Sequence, residues 1–182
     1  MLKPSCTRVS LGHYLFQNSV NLWVDRHQCI HQTCPMSQEE TTVKIDLALT
    51  DEDIQACHPI MRELRPEIAR DDFLGRVRAQ EAAGYHMAFA RDNDNIVAVA
   101  GFRIGENLAW GRHLYVDDLV TATDKRSMGY GSALLEWLRH YGIKHECRQF
   151  HLDSGMQREQ AHRFYEREGL SKAGYHFVQS LT

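Results

Sequence analysis

No run of apolar residues in this chain approaches the ~20 needed to cross a bilayer; the longest spans only residues 96–102. Charge of one sign is not in excess either, the formal net charge being -3 over 182 residues. A nucleic-acid binder needs a basic face that displaces counterions from phosphates, so neither a nucleic acid nor a membrane is an expected partner. Cysteine is scarce: Cys6, Cys29, Cys34, Cys57 and Cys147 make an odd count in a long chain. That excludes a disulfide scaffold and favours free thiols in a reducing, cytoplasmic setting. What is present, 43% hydrophobic and 25% charged residues, is ordinary globular composition. A chain of this length buries roughly 70% of its unfolded surface, enough for a core without cross-links or metal.

Residues 1–35 read differently from the rest, holding three of the five cysteines and no clean period of 2 or 3.6. His13, Gln17, Asn18 and Asn21 interrupt the apolar centre that a secretory signal needs. Lys3, Arg8 and the lack of acids before Asp25 fit a transit peptide, but hydroxyl residues are thin. His27, Cys29, His31 and Cys34 are zinc-ligand types at a spacing that matches no standard finger, so no metal is expected. The expected organisation is an N-terminal extension over 1–35, outside the core, and a functional domain over 36–182.

From residue 43 the periodicity becomes regular. Val43, Ile45, Leu47 and Leu49 alternate as a strand does, and Thr50 followed by acids is a helix start. Helices are expected over 54–64 and 71–83, then strands over 85–91 and 96–104 joined by Asp92-Asn93-Asp94-Asn95, a hairpin cluster. A strand over 113–121, a helix over 129–145, a strand over 149–153, a helix over 157–168 and a final strand over 175–181 complete the order. The class is α/β of the α+β type: a mixed, mostly antiparallel sheet of six to seven strands flanked by about four helices.

The sharpest feature is the apolar strand end Leu119-Val120-Thr121 followed by Arg126-Ser127-Met128-Gly129-Tyr130-Gly131 and an amphipathic helix. Glycines here let a ligand lie directly on the backbone, and the first N–H groups of a helix favour an anion. An ordinary flexible loop is the plain alternative. A dinucleotide-binding turn is excluded because its third glycine falls on Leu134, and a P-loop because no Gly-Lys-Ser/Thr follows.

With this strand, turn and helix the chain resembles the GNAT superfamily of acetyl-CoA-dependent N-acetyltransferases. A second segment, Leu152-Asp153-Ser154-Gly155 followed by a helix carrying Tyr165 before Gly169, looks like that family's other signature. The resemblance implies a fold of the same type, acetyl-CoA as co-substrate with no metal, and a small-molecule primary amine as acceptor, in direct attack through a ternary complex. It implies cofactor contacts from Leu119, Val120, Thr121, Arg126, Ser127, Met128, Gly129, Tyr130, Gly131, Ser132, Ser154 and Tyr165. Val120 maps to the backbone N–H that steadies the thioester oxygen, with a plain core valine as its alternative. Tyr165 maps to the tyrosine that protonates the departing sulfur; a core tyrosine is its alternative.

Strand alternation sends Asp117 and Asp118 to opposite faces and only one to the substrate; the resemblance, through members that act on polyamines, implies Asp117 as the first choice and Asp118 as the second for receiving or orienting the amine. A solvated carboxylate pair is the alternative. Arg158 and Arg163 are candidates for a ribose phosphate, and Arg62, Glu63 and Arg65 for the acceptor pocket. Trp110 and Trp137 are read as packing residues. A homodimer fits such folds. Beside the enzyme stands a second reading, a non-catalytic acetyl-CoA-binding sensor or interaction module.

Overall fold

The computed structural model of the protein describes residues 43–181. The extension over 1–35, with its histidine and cysteine cluster, lies outside them.

The element order is β1 (Lys44–Leu47), α1 (Asp51–Leu64), α2 (Arg70–Glu81), β2 (Tyr85–Asp92), β3 (Asn95–Asn107), β4 (Gly111–Thr121), a 3-10 turn (Thr123–Lys125), α3 (Tyr130–Lys144), β5 (Gln149–Leu152) and α4 (Glu159–Arg167). Local chemistry sets several boundaries. Thr50 accepts from the Asp53 amide at 3.1 Å while the Asp53 carboxylate accepts from the Thr50 amide at 3.3 Å, a capping box that starts α1 and contributes on the order of 1 kcal/mol. Asn93 takes a positive φ of 51° in the two-residue turn between β2 and β3, a conformation asparagine tolerates.

The five strands lie in the order β1-β2-β3-β4-β5. The first four are antiparallel neighbours, and β5 lies parallel to β4 because α3 carries the chain across between them. Alternation on β2 divides the core in two. Tyr85, Met87 and Phe89 pack with Ile54, Met61, Phe73 and Val77 of α1 and α2, whereas Ala88 and Ala90 pack with Tyr130, Leu134 and Leu138 of α3. The sheet is thus buried between two helical layers, each leucine of α3 contributing roughly 1.5–3 kcal/mol by its burial.

One irregularity in β4 bears on everything downstream. Gly101 of β3 pairs with Asp118 and its neighbour Phe102 pairs with Val116, which leaves Asp117 as the extra residue of a β-bulge. The bulge inverts the strand's phase: Leu114 and Val116 pack in the α3 layer, while Val120, also even-numbered, packs in the α1 and α2 layer.

The expected strand over 175–181 does not form, so among the described residues the sheet has five strands rather than six or seven. Tyr175, Phe177, Val178 and Leu181 are each more than 80% exposed. Their alternation suits a strand, but a strand is stabilised by a ladder partner and an apolar face to cover. Among the described residues this segment has neither.

Candidate active site

Pairing between β4 and β5 stops at Val116 and Leu152. Beyond that point β4 runs on through Asp117, Asp118, Leu119, Val120 and Thr121 with no strand beside it on that edge among the described residues. Backbone polar groups need partners, and it is along this stretch that two clefts open.

The larger, about 860 Å³, is lined by Leu119, Val120 and Thr121, by the loop that carries Arg126, Ser127 and Gly129, by Tyr130, Gly131 and Ser132 at the start of α3, and by α4 with Tyr165. Ser127 and Gly129 take positive φ values of 63° and 90°, wrapping the backbone around the helix start. No side chain caps α3 and no acid sits in its first turn, so its free N–H groups and dipole present an unneutralised positive end. A Cβ on Gly131 would lie 3.2 Å from the Phe164 ring and 3.3 Å from Thr121 Oγ1, so the glycine lets α3, α4 and β4 converge. Lys125, Arg126, Arg158, Arg163 and Arg167 face this cleft against a single carboxylate, Glu159. Backbone donors at a helix start and clustered guanidinium groups fit a ligand rich in phosphate.

Two residues assigned to the cofactor stand aside from that cleft. Met128 does not line it and is 58% exposed. Ser154, just past β5, buries its hydroxyl without a hydrogen-bond partner and also lies off the lining. The Ser132 hydroxyl lines the cleft but donates to Glu168 Oε1 at 2.7 Å, and Arg139 donates to the Glu168 carbonyl, which ties α4 to α3 and sets Tyr165 in place. Burial pushes the Tyr165 phenol above its ordinary range, against the opposing charge of Arg158, so it stays protonated and able to donate at neutral pH. Val120 packs its side chain in the core while bordering the cleft; its N–H turns toward β3, as that of Ala122 does in donating to the Val97 carbonyl at 2.9 Å, whereas those of Leu119 and Thr121 turn to the open edge.

The smaller cleft, about 400 Å³, is lined from α1 and α2 by Met61, Arg65, Phe73, Arg76, Val77 and Gln80, and from the sheet by Tyr85, Tyr115, Asp117, Asp118 and Asp153. Here the expectation that Asp117 and Asp118 point to opposite faces is corrected. The bulge breaks the alternation, and both border the same cleft. Asp118 accepts from Arg65 Nε at 2.8 Å and from the Tyr85 hydroxyl at 3.1 Å. Asp117 accepts from Arg103 Nε at 2.8 Å, and Asp153 from the Tyr115 hydroxyl at 2.7 Å. Burial, with the charge of the neighbouring aspartate second and the bond to it third, raises the Tyr85 phenol, fixing it as a donor to Asp118. Burial and then the bond to Asp153 do the same for Tyr115.

Of the three α1 residues considered for the acceptor, only Arg65 borders this cleft. Glu63 instead accepts from the Thr123 amide at 3.0 Å and hydroxyl at 2.6 Å, pinning the 3-10 turn that leads into the Arg126 loop. Sequence reasoning missed Tyr85, Arg76, Arg103 and Tyr115, none of which belongs to a motif. The one signal was Gly101 inside a strand pattern, a mark of close approach: a Cβ there would fall 1.8 Å from the Tyr85 hydroxyl. Trp137 stacks on Tyr141 as a packing residue, and Trp110 stacks on His151 with centroids 3.9 Å apart.

A helix start with free N–H groups and a carboxylate-lined cleft, laid along one strand end that has no partner on its β5 side, suit an acyltransferase. The chain belongs to the acetyltransferase (GNAT) family, whose model matches residues 48–170. Members of this family draw the acetyl group from acetyl-CoA. Over 122 residues the chain is 37% identical to the uncharacterized N-acetyltransferase YhdJ of Bacillus subtilis (strain 168), covering 66% of this chain and 86% of that one. It is 25% identical over 126 residues to the aminoalkylphosphonate N-acetyltransferase of Salmonella typhimurium (strain LT2), covering 69% and 80%. Among solved structures it resembles the aminoglycoside N-acetyltransferase AAC(6')-Iy in complex with CoA, with a TM-score of 0.67 at 12% identity over 79% of this chain and 99% of that one, a likeness of fold.

Proposed function

We propose that this enzyme moves an acetyl group from acetyl-CoA to a primary amine of a small molecule, by direct attack with both substrates bound. The observation that carries this reading is that consecutive residues of one strand serve two clefts: Asp117 and Asp118 border one, and Leu119, Val120 and Thr121 border the other. An amine held at the first is thereby set beside a thioester held at the second, and proximity of this kind supplies a large part of a two-substrate rate enhancement.

When bound, acetyl-CoA supplies an acetyl group activated as a thioester. The free N–H groups at the start of α3 and the Arg126, Ser127, Gly129 loop hold its diphosphate, with Arg158 and Arg163 near enough to the cleft to take its ribose phosphate. An N–H on the open edge of this strand end, that of Leu119 or Thr121, steadies the carbonyl oxygen as negative charge grows there. The acceptor nitrogen, once neutral, forms the C–N bond while the C–S bond breaks. Tyr165 gives its proton to the departing sulfur. Asp117 or Asp118 holds the incoming ammonium and guides its proton to water, and the second proton, lost from nitrogen as the amide forms, returns through water to the Tyr165 oxygen, so the proton balance closes. The aspartates orient rather than abstract, because a carboxylate is too weak a base to deprotonate an ammonium unaided. The free thiols Cys57 and Cys147 support a cytoplasmic setting. The relative that acts on aminoalkylphosphonates supports a small acceptor.

The test is release of free thiol from acetyl-CoA across an amine panel, with coenzyme A uptake measured by calorimetry. Tyr165→Phe is expected to lower kcat about 10²-fold, the usual share of a general acid, and to leave coenzyme A affinity within a few-fold. Undiminished turnover in that variant removes the acid role, and uptake of coenzyme A without thiol release on any amine overturns the acetyltransfer reading.

A further inference from the structure

The smaller cleft carries charge of both signs, arranged by element rather than mixed. Its carboxylates, Asp117, Asp118 and Asp153, all come from the sheet side, whereas Arg65 and Arg76 enter from α1 and α2. A pocket for a plain cationic amine needs only the first set. Guanidinium groups on the opposite wall would repel such an acceptor unless each were already paired across the cleft.

The two arginines differ in this respect. Arg65 is committed, donating to Asp118 at 2.8 Å and reaching the Asp117 carbonyl at 3.4 Å. Arg76 is not. Its ion pair is with Asp72, one turn back on the same helix and 3.9 Å away, and both side chains are more than half exposed, a pairing worth little in water. Among the described residues it makes no hydrogen bond to any group across the cleft. The guanidinium therefore presents a fork of donors suited to bidentate capture of a carboxylate or phosphonate. Gln80, one turn further along α2, borders the same cleft, and its side-chain oxygen is occupied by Arg103 at 3.1 Å.

Resting on the acetyltransferase reading of this site, we infer that the acceptor is a small zwitterion, its ammonium held at Asp117 and Asp118 and a terminal acid group held by Arg76. At about 400 Å³ the cleft suits an amino acid or aminophosphonate rather than a peptide or an oligosaccharide.

The full chain with acetyl-CoA should be assayed for thiol release on matched acceptors that differ in the acid alone: β-alanine against β-alaninamide, and 2-aminoethylphosphonate against ethanolamine. The acid-bearing member of at least one pair is expected to show a kcat/KM higher by about tenfold or more, the size of one charge-assisted contact. In Arg76→Gln that ratio should fall toward one, through a raised KM of the acid-bearing member. Arg76→Lys should keep part of it. Coenzyme A uptake by each variant reports that it is folded. Equal or better turnover of the uncharged members overturns this inference and leaves acetyltransfer standing, as does a ratio that Arg76→Gln does not change. Thiol release on no amine overturns both.

Discussion

Tyr85 reaches Asp118 only because Gly101, on the strand between them, has no side chain. Its phenol lies where a Cβ would sit, 1.8 Å from the hydroxyl and 2.4 Å from the ring carbon that bears it. Gly101→Ala should therefore displace the ring, release Asp118 from one of its two donors, and cost about 1–3 kcal/mol as overpacking; a urea midpoint unchanged from the parent would show that the ring has room to move. Two histidines make stability depend on pH. Burial lowers the basicity of His86, which lies tilted against the rings of Phe102 and Tyr141. Burial, joined by the charge of His113, does the same for His151. Between their lowered values and the ordinary ~6.5 the unfolded chain binds more protons than the folded one, so this contribution is present above ~6.5 and is lost as pH falls through that window. Melting temperature should decline from pH 7.5 to 5.5, and the decline should be shallower in a His86→Phe, His151→Phe double variant. An equally steep decline in that variant would assign the effect to other groups. Cys57 takes no part in such chemistry, since burial pushes its thiol up to about 12.

At the scale of elements, the start of α3 is the piece on which cofactor binding rests. Gly129 has open space around its Cβ position but a φ of 90°, so Gly129→Val acts through the backbone and through the room left for a diphosphate. The expected result is a strain of roughly 1–2 kcal/mol and a coenzyme A affinity reduced at least tenfold by calorimetry. Undiminished uptake would move the diphosphate elsewhere. This element was legible in advance because glycine spacing and an amphipathic repeat report local backbone needs, as did the hairpin at Asn93. The smaller cleft was not legible to the same degree. Asp117 and Asp118 stood out as acids in an apolar strand, but their shared orientation follows from a bulge set by pairing with β3, and their arginine partners come from α1 and β3, 52 or 53 and 14 positions away. Contacts of that range leave no periodic trace. Residues 175–181 failed for the complementary reason: alternation announces what a strand would bury but not whether a partner exists to pair with it.

For the whole molecule, the family match begins at residue 48 and the described structure at 43, and we propose that the working domain lies after residue 35. A chain truncated to 36–182 is expected to be soluble, to bind coenzyme A as the full chain does and to keep its turnover; an insoluble product would place part of the fold before that boundary. Within the domain, the bulge at Asp117 ties sheet geometry to chemistry more tightly than either cleft does alone. Since the ladder with β3 is regular on either side of it, deleting that one amino acid would leave Leu119 opposite Ala100 and Val120 opposite Val99, each still in its own helical layer. What would go is the one place where two successive side chains share a cleft, so a single carboxylate of this strand would remain where Asp117 and Asp118 now both border the acceptor's side. Substitution at 117 tests a carboxylate, whereas loss of the position itself would also take out the bend by which a bulge re-aims a strand, with both packed layers left in place, so the strand's length is as much a functional parameter as its composition.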